Sequence, residues 1–142
     1  MDHRHTRSLN VLVGDDDGAV RDAVVAILAG RELRVHTAAT GSDALRILLA
    51  FPIDLSILDV EMPDMTGIEV IQRYITGPFV AGAGAAPARR ARSALPTIFM
   101  SGNRDRAIRS AAERVGTSFF DKPIEALAMR AEVDRILQRL LG

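Results

Sequence analysis

Along this chain, short apolar runs alternate with stretches whose apolar residues recur at helical spacing. Leu9-Asn10-Val11-Leu12-Val13 reads as a strand buried on both faces. Val20, Val24, Ile27 and Leu28 then fall on one helical stripe that stops near Gly30. Leu33 to Ala38 alternates like a second strand. Ser42 is placed to cap a helix carrying Ala44, Leu45, Leu48 and Leu49, which ends before Pro52. Ile53 to Leu58 is the third strand. Ile68, Val70, Ile71 and Ile75 suit a third helix begun after Gly67. Residues 76–95 are rich in Gly, Ala and Pro with few large side chains to bury, which predicts a mobile connection. Pro96 to Met100 is a fourth strand; Ile108, Ala111, Ala112 and Val115 form a helical stripe; Thr117 to Phe120 is a short fifth strand. The last helix runs roughly from Glu125 to Leu141, with Val133, Ile136, Leu137 and Leu140 on one face.

Regular alternation of strand and helix predicts a parallel sheet with helices on both faces, because each right-handed crossover lays its helix on one side. At 142 residues the chain suits one domain with a single core, here 9–142 behind a flexible tail, 1–8. Lys+Arg 18 balances Asp+Glu 18, so no global field favours nucleic acid or an anionic membrane. The absence of cysteine removes disulfides, thiolate metal sites and a cysteine nucleophile. Met1 to Thr6 is polar with no apolar signal core behind it, and no apolar stretch is long enough to span a bilayer, so a cytoplasmic protein is expected.

In a parallel sheet all strand carboxyl ends lie on one edge, where open α/β sheets place their ligands. Asp15 and Asp16 follow the first strand, Asp59 the third, Ser101 the fourth and Lys122 the fifth. Three acids brought together repel one another unless a cation joins them. An oxygen-only set with open positions suits Mg²⁺. Asp59 can then act as a nucleophile on phosphorus, with Lys122 and the Ser101 hydroxyl offsetting the charge on the transferred group.

The motifs Val11-Leu12-Val13-Gly14-Asp15-Asp16-Asp17, Asp59-Val60-Glu61-Met62-Pro63-Asp64-Met65-Thr66-Gly67, Met100-Ser101-Gly102 and Asp121-Lys122-Pro123 occur in that order, each after a strand. Taken together they resemble the receiver domain of bacterial two-component response regulators, over Leu9 to the C-terminus. The resemblance implies a flavodoxin-like (βα)5 fold with strand order 2-1-3-4-5. It implies Asp59 as phosphoacceptor, with Mg²⁺ held by Asp15, Asp16, Asp59 and the backbone carbonyl of Glu61. It implies a switch formed by Ser101 and Phe119, a cis Lys122–Pro123 peptide, and Lys122 paired with the acceptor. The implied donor is a sensor histidine kinase or phosphotransfer protein. The implied output surface is the fourth helix, fifth strand and fifth helix, meeting an effector domain or partner; a homodimer is compatible with it. No direct nucleic-acid or membrane contact is expected of this domain. It is not expected to be an enzyme in the usual sense, only to phosphorylate and dephosphorylate itself slowly, with Glu61 and Asn103 flanking the water path.

The sequence departs from the family in three places. The stretch between Asp59 and Ser101 is longer than usual, the excess falling within 76–95. Phe119 lacks a tyrosine hydroxyl. Gly14 replaces a bulkier apolar residue, which suggests looser packing beside the acidic pair. Competing readings stand beside each residue: Asp15, Asp16 and Asp17 as helix caps, Asp59 as a turn residue, Ser101 as a cap and Lys122 as a solvated charge. Asp59-Val60-Glu61 also echoes phosphatases of the haloacid-dehalogenase type, and an adaptor that is never phosphorylated is the third alternative. His3, His5 and His36 offer no metal spacing. Arg89, Arg90 and Arg92 suit a solvated loop, and Gly82-Ala83-Gly84 follows no strand and so is not a dinucleotide loop.

Overall fold

The computed structural model describes residues 8–77 and 91–142. Five strands and five helices alternate: β1 Leu9–Gly14, α1 Gly18–Leu28, β2 Leu33–Ala38, α2 Gly41–Ala50, β3 Leu55–Asp59, α3 Gly67–Thr76, β4 Thr97–Ser101, α4 Arg106–Val115, β5 Ser118–Asp121 and α5 Ala126–Leu141. All strands are parallel, in the order β2-β1-β3-β4-β5.

Strand side chains divide between two apolar layers, as the two-residue period of a strand requires. Val11, Val13, Leu55, Ile57, Ile98 and Met100 face α1 and α5, where Val24, Leu28, Met129, Val133 and Ile136 meet them. Leu12, Leu58 and Phe99 face the opposite layer with Ala44, Leu48, Val70, Ile71, Tyr74 and Ala112, from α2, α3 and α4. Burial on both faces explains why β1, β3 and β4 are mostly apolar rather than alternating, with Asn10 and Ser56 among the buried polar exceptions. Polar groups also tie the sheet: the hydroxyls of Ser56 and Thr97 bond at 2.7 Å between β3 and β4, and the Asn10 backbone amide donates to the buried Asp54 carboxylate at 2.8 Å.

Each helix starts on a side chain that accepts its free amides: Asp17 for α1, Thr40 for α2, Thr66 for α3, Asp105 for α4 and Glu125 for α5. Thr66 and Glu69 complete a reciprocal capping box. The expected Ser42 cap is therefore corrected to Thr40, whose extended backbone suits the cap position. Ser42 lies two residues further on, within the first turn, and bonds Asp64 instead. The third strand begins at Leu55 rather than Ile53.

The expected mobile connection over 76–95 also needs correction at its ends. Thr76 is the last residue of α3, and Arg92–Ala94 form a 3-10 turn. Leu95 is buried in the α2/α3/α4 layer, and the Arg92 guanidinium lies 4.8 Å from the centre of the Tyr74 ring. The rest of that expectation, and residues 1–7 of the expected tail 1–8, lie outside the described residues, as do His3, His5, Arg89 and Arg90. Gly14 does not loosen the packing as expected. A Cβ there would come within 2.8 Å of Leu58 Cδ2 and 3.4 Å of Met62 Sδ, so larger neighbours already fill the space.

Candidate phosphoryl-acceptor site

The chain leaves β1 for β2 on one side and returns through β3 on the other. That reversal opens a crevice at the carboxyl ends of β1 and β3. Asp59 is the last residue of β3, and Asp15 and Asp16 follow β1 directly. One carboxylate oxygen from each of the three lies within 4.8 Å of the others. Asp15 and Asp59 are buried; Asp16 is exposed at the rim.

Backbone contacts hold the first two in place. The Asp15 amide donates to Ala38 O on β2 at 3.0 Å, and its Oδ1 accepts from the Asp17 amide at 2.9 Å. The Asp15 carbonyl accepts from Arg21 Nη1 at 2.8 Å. Asp59 Oδ1 accepts from the Glu61 amide at 3.2 Å. Behind Asp59 there is no room for a side chain: a Cβ on Gly67 would lie 2.4 Å from the Asp59 carbonyl oxygen.

Lys122 reaches in from the end of β5. Its Nζ stands 2.8 Å from Asp15 Oδ2 and 3.2 Å from Asp59 Oδ2. Its amide donates to Ser101 O at 2.9 Å, which ties the ends of β4 and β5, and the Lys122–Pro123 peptide is cis. Burial pushes Asp59 up to about 7; the Asp15 charge adds to this, and Lys122 opposes it. Burial works to lower Lys122, but Asp15 and Asp59 together hold it above its usual value.

Asp15 Oδ2 meets the Lys122 ammonium at 2.8 Å and, among the described residues, has no other donor. A buried carboxylate oxygen without a donor is costly unless a cation serves it. Three convergent carboxylates, one of them with a buried oxygen served by Lys122 alone, and no sulfur or imidazole in the set, fit a hard divalent cation such as Mg²⁺.

Ser101 ends β4 and is fully buried. Its Oγ lies 2.8 Å and 2.9 Å from the two carboxylate oxygens of Glu61, and accepts from the Asn103 amide at 2.9 Å. Phe119 on β5 is half-buried against the α2/α3/α4 layer, and the Arg109 guanidinium covers its ring at 4.7 Å.

The chain is similar to known proteins over this same arrangement. Residues 11–77 match the family model described as the response regulator receiver domain. The structure superposes on a CheY-like receiver domain from Methanospirillum hungatei with a TM-score of 0.75, covering 93% of this chain and 95% of that one at 20% identity. This chain carries a response-regulator receiver domain. The receiver fold is equally that of chemotaxis response regulator CheY4 of Vibrio cholerae, at a TM-score of 0.72 and 23% identity over 91% of this chain and 98% of that one. In sequence, the domain is 29% identical over 131 residues to the transcriptional regulatory protein AfsQ1 of Streptomyces coelicolor, covering 92% of this chain and 52% of the relative. It is 40% identical over 73 residues to KdpE of Mycobacterium tuberculosis, covering 49% of this chain and 32% of the relative. The receiver domain thus spans about half of the first relative and a third of the second. The haloacid-dehalogenase alternative falls with this assignment: Asp59 ends the third strand of a receiver sheet, not the first strand of a phosphatase.

The receiver domain brings together Asp15, Asp16, Asp59 and Lys122, and sets Ser101 on Glu61 beside them. Asp17 is the cap it was read as, and Ser101 is not a cap, since Asp105 starts α4. His36 is structural: its Nε2 bonds Asn10 Oδ1 at 3.1 Å and its ring meets Phe51 at 4.4 Å. Sequence reasoning missed three contacts. Arg21 on the Asp15 carbonyl had one available signal, its place in the first turn of the helix that follows. Arg109 over Phe119 and the Glu61 carboxylate on Ser101 join separate elements and left no signal. Among the described residues, no helix is long and apolar enough to cross a membrane.

Proposed function

We propose that Asp59 accepts a phosphoryl group and that residues 9–142 form one switchable receiver unit. The observation that carries this is the pairing of a buried, charge-strained Asp59 with Lys122 and with two further acids on the adjacent strand end. A carboxylate oxygen of Asp59 attacks the phosphorus of a phosphohistidine. The N–P bond breaks, the imidazole leaves with its electron pair, and an aspartyl-phosphate remains. Asp15, Asp16, Asp59 and the Glu61 carbonyl would hold Mg²⁺, which supplies positive charge for the phosphoryl oxygens. The Lys122 ammonium offsets further charge, being already 3.2 Å from Asp59.

The donor is a sensor histidine kinase or a phosphotransfer protein. The relatives include sensor kinases as well as transcriptional regulators, for example the sensor histidine kinase AtsR of Burkholderia thailandensis, so both settings are consistent with a phosphorelay. Once formed, the acyl phosphate draws the Ser101 hydroxyl toward it, and Phe119 follows by moving inward from beneath Arg109. The surface of α4, β5 and α5 then reports the change to an effector domain or a second copy. Leu127, exposed at the start of α5, lies on that surface. Hydrolysis is slow and self-catalysed, with Glu61 and Asn103 beside the attacking water. The setting is cytoplasmic, where such donors are phosphorylated.

The test is incubation with acetyl phosphate and Mg²⁺ followed by intact mass. A gain of one phosphoryl group, absent without Mg²⁺ and absent in Asp59→Asn, supports the reading. An unchanged mass in the unaltered protein would leave only the adaptor alternative.

A further inference from the structure

Ser101 has one hydroxyl proton to give. It gives it to Glu61, whose two oxygens lie 2.8 Å and 2.9 Å from Oγ; the Asn103 carbonyl, at 3.4 Å, is a distant alternative. The hydroxyl is fully buried while the rest of Glu61 is exposed. The carboxylate of an exposed residue thus turns inward to serve a buried donor. A charge-assisted bond of this kind is among the stronger ones available to a neutral hydroxyl. The same residue touches the acceptor through its main chain, since the Glu61 amide donates to Asp59 Oδ1 at 3.2 Å. One residue therefore clasps both the carboxylate at the end of β3 and the hydroxyl at the end of β4.

We propose that the Glu61 carboxylate is an internal stand-in for the phosphoryl group, holding the Ser101 proton in the resting state and competing with the phosphoryl oxygens for it. This rests on the reading of Asp59 as the acceptor, and goes beyond any effect of Glu61 on water. A phosphoryl group carries up to two negative charges and three acceptor oxygens against one charge and two oxygens on Glu61, so it wins the proton when present. When absent, Glu61 keeps Ser101 from turning toward the acceptor. Glu61 is a positioning residue here: it acts through Ser101 and sets how readily the unphosphorylated domain visits its active arrangement.

The test has two arms. In metal-free protein, hydrogen exchange is followed at the Asn103 amide, whose acceptor is Ser101 Oγ at 2.9 Å. Glu61→Ala is expected to speed that exchange about tenfold, the equivalent of losing one charge-assisted bond that fixes the hydroxyl. Glu61→Gln, which keeps an acceptor oxygen, is expected to speed it less. An unchanged rate in Glu61→Ala overturns the proposal. The second arm measures binding of beryllofluoride, a phosphoryl mimic, with Mg²⁺ in a double-mutant cycle. Glu61→Ala should tighten binding about tenfold where Ser101 is intact, and by much less in the Ser101→Ala background, since the coupling passes through the hydroxyl. Equal tightening in both backgrounds means plain charge repulsion and overturns the proposal. If beryllofluoride binds none of these proteins, the acceptor reading fails instead, and the metal-free exchange alone decides on Glu61.

Discussion

Lys122 Nζ lies between two buried carboxylates, 2.8 Å from Asp15 and 3.2 Å from Asp59, and is the counter-charge that lets both acids persist in one crevice. It is only partly buried itself, so the pairing is neither a free surface bridge nor a sealed internal one. The resting site is held together by that attraction, and Asp15 Oδ2 has no other partner among the described residues.

Removing Lys122 therefore leaves two buried acids facing each other. Lys122→Ala is expected to lower the stability of the metal-free domain by about 1–3 kcal/mol, below the full cost of breaking a sealed pair because the crevice admits water. Mg²⁺ should recover part of the loss, since it serves the same oxygens. Urea unfolding with and without Mg²⁺ measures both; an unaltered midpoint in metal-free protein contradicts the pairing.

The pH dependence of stability has a definite sign. Asp59 rises from its ordinary 3.8 to about 7 in the folded protein, so between those values the folded state binds the extra proton. That contribution is complete below about pH 4 and is lost as pH climbs through 7, with a slope of up to about 1.4 kcal/mol per unit for one proton. In chelator, the domain should thus lose stability from pH 4 to 7 through this group. Asp59→Asn should flatten the profile, read from denaturation midpoints across that window. A profile unchanged by Asp59→Asn contradicts the assignment.

The same proton competes with a cation. Affinity for Mg²⁺, followed by calorimetry, should weaken as pH falls below about 7 and should approach a plateau above it. Binding independent of pH between 5 and 8 would show that Asp59 is not among the ligands.

Gly67 tests the packing behind the acceptor. A methyl group there would stand 2.4 Å from the Asp59 carbonyl oxygen, which is main chain and cannot swing aside. Gly67→Ala is expected to cost about 1–3 kcal/mol and to reduce phosphoryl acceptance by displacing the strand end. A variant as stable and as readily phosphorylated as the parent contradicts that geometry.

How much of this was legible beforehand follows from the range of each interaction. The alternation of strands and helices and the identity of the rim residues were readable because apolar runs and the polar residues after them are local signals; the strand order came from the resemblance to the receiver family. Asp15, Asp16, Asp59, Ser101 and Lys122 are each the first or second polar residue after an apolar strand run. The cap at Thr40 was misplaced by two residues, because both Thr40 and Ser42 have cap chemistry and only the backbone angle decides between them. The packing at Gly14 was misjudged because the residues that fill its space, Leu58 and Met62, come from another part of the chain. The grip of Glu61 on Ser101 was invisible for the same reason: it joins two strand ends 40 residues apart.

The central claim is that Asp59 itself carries the phosphoryl group, and chemical trapping tests it most directly. The protein is phosphorylated with acetyl phosphate and Mg²⁺, reduced with borohydride, which converts an aspartyl-phosphate to homoserine, and digested for peptide mass analysis. Homoserine at position 59, with Asp15 and Asp16 unchanged, is the expected result. Homoserine at another aspartate, or none after complete exposure to the donor, contradicts the account.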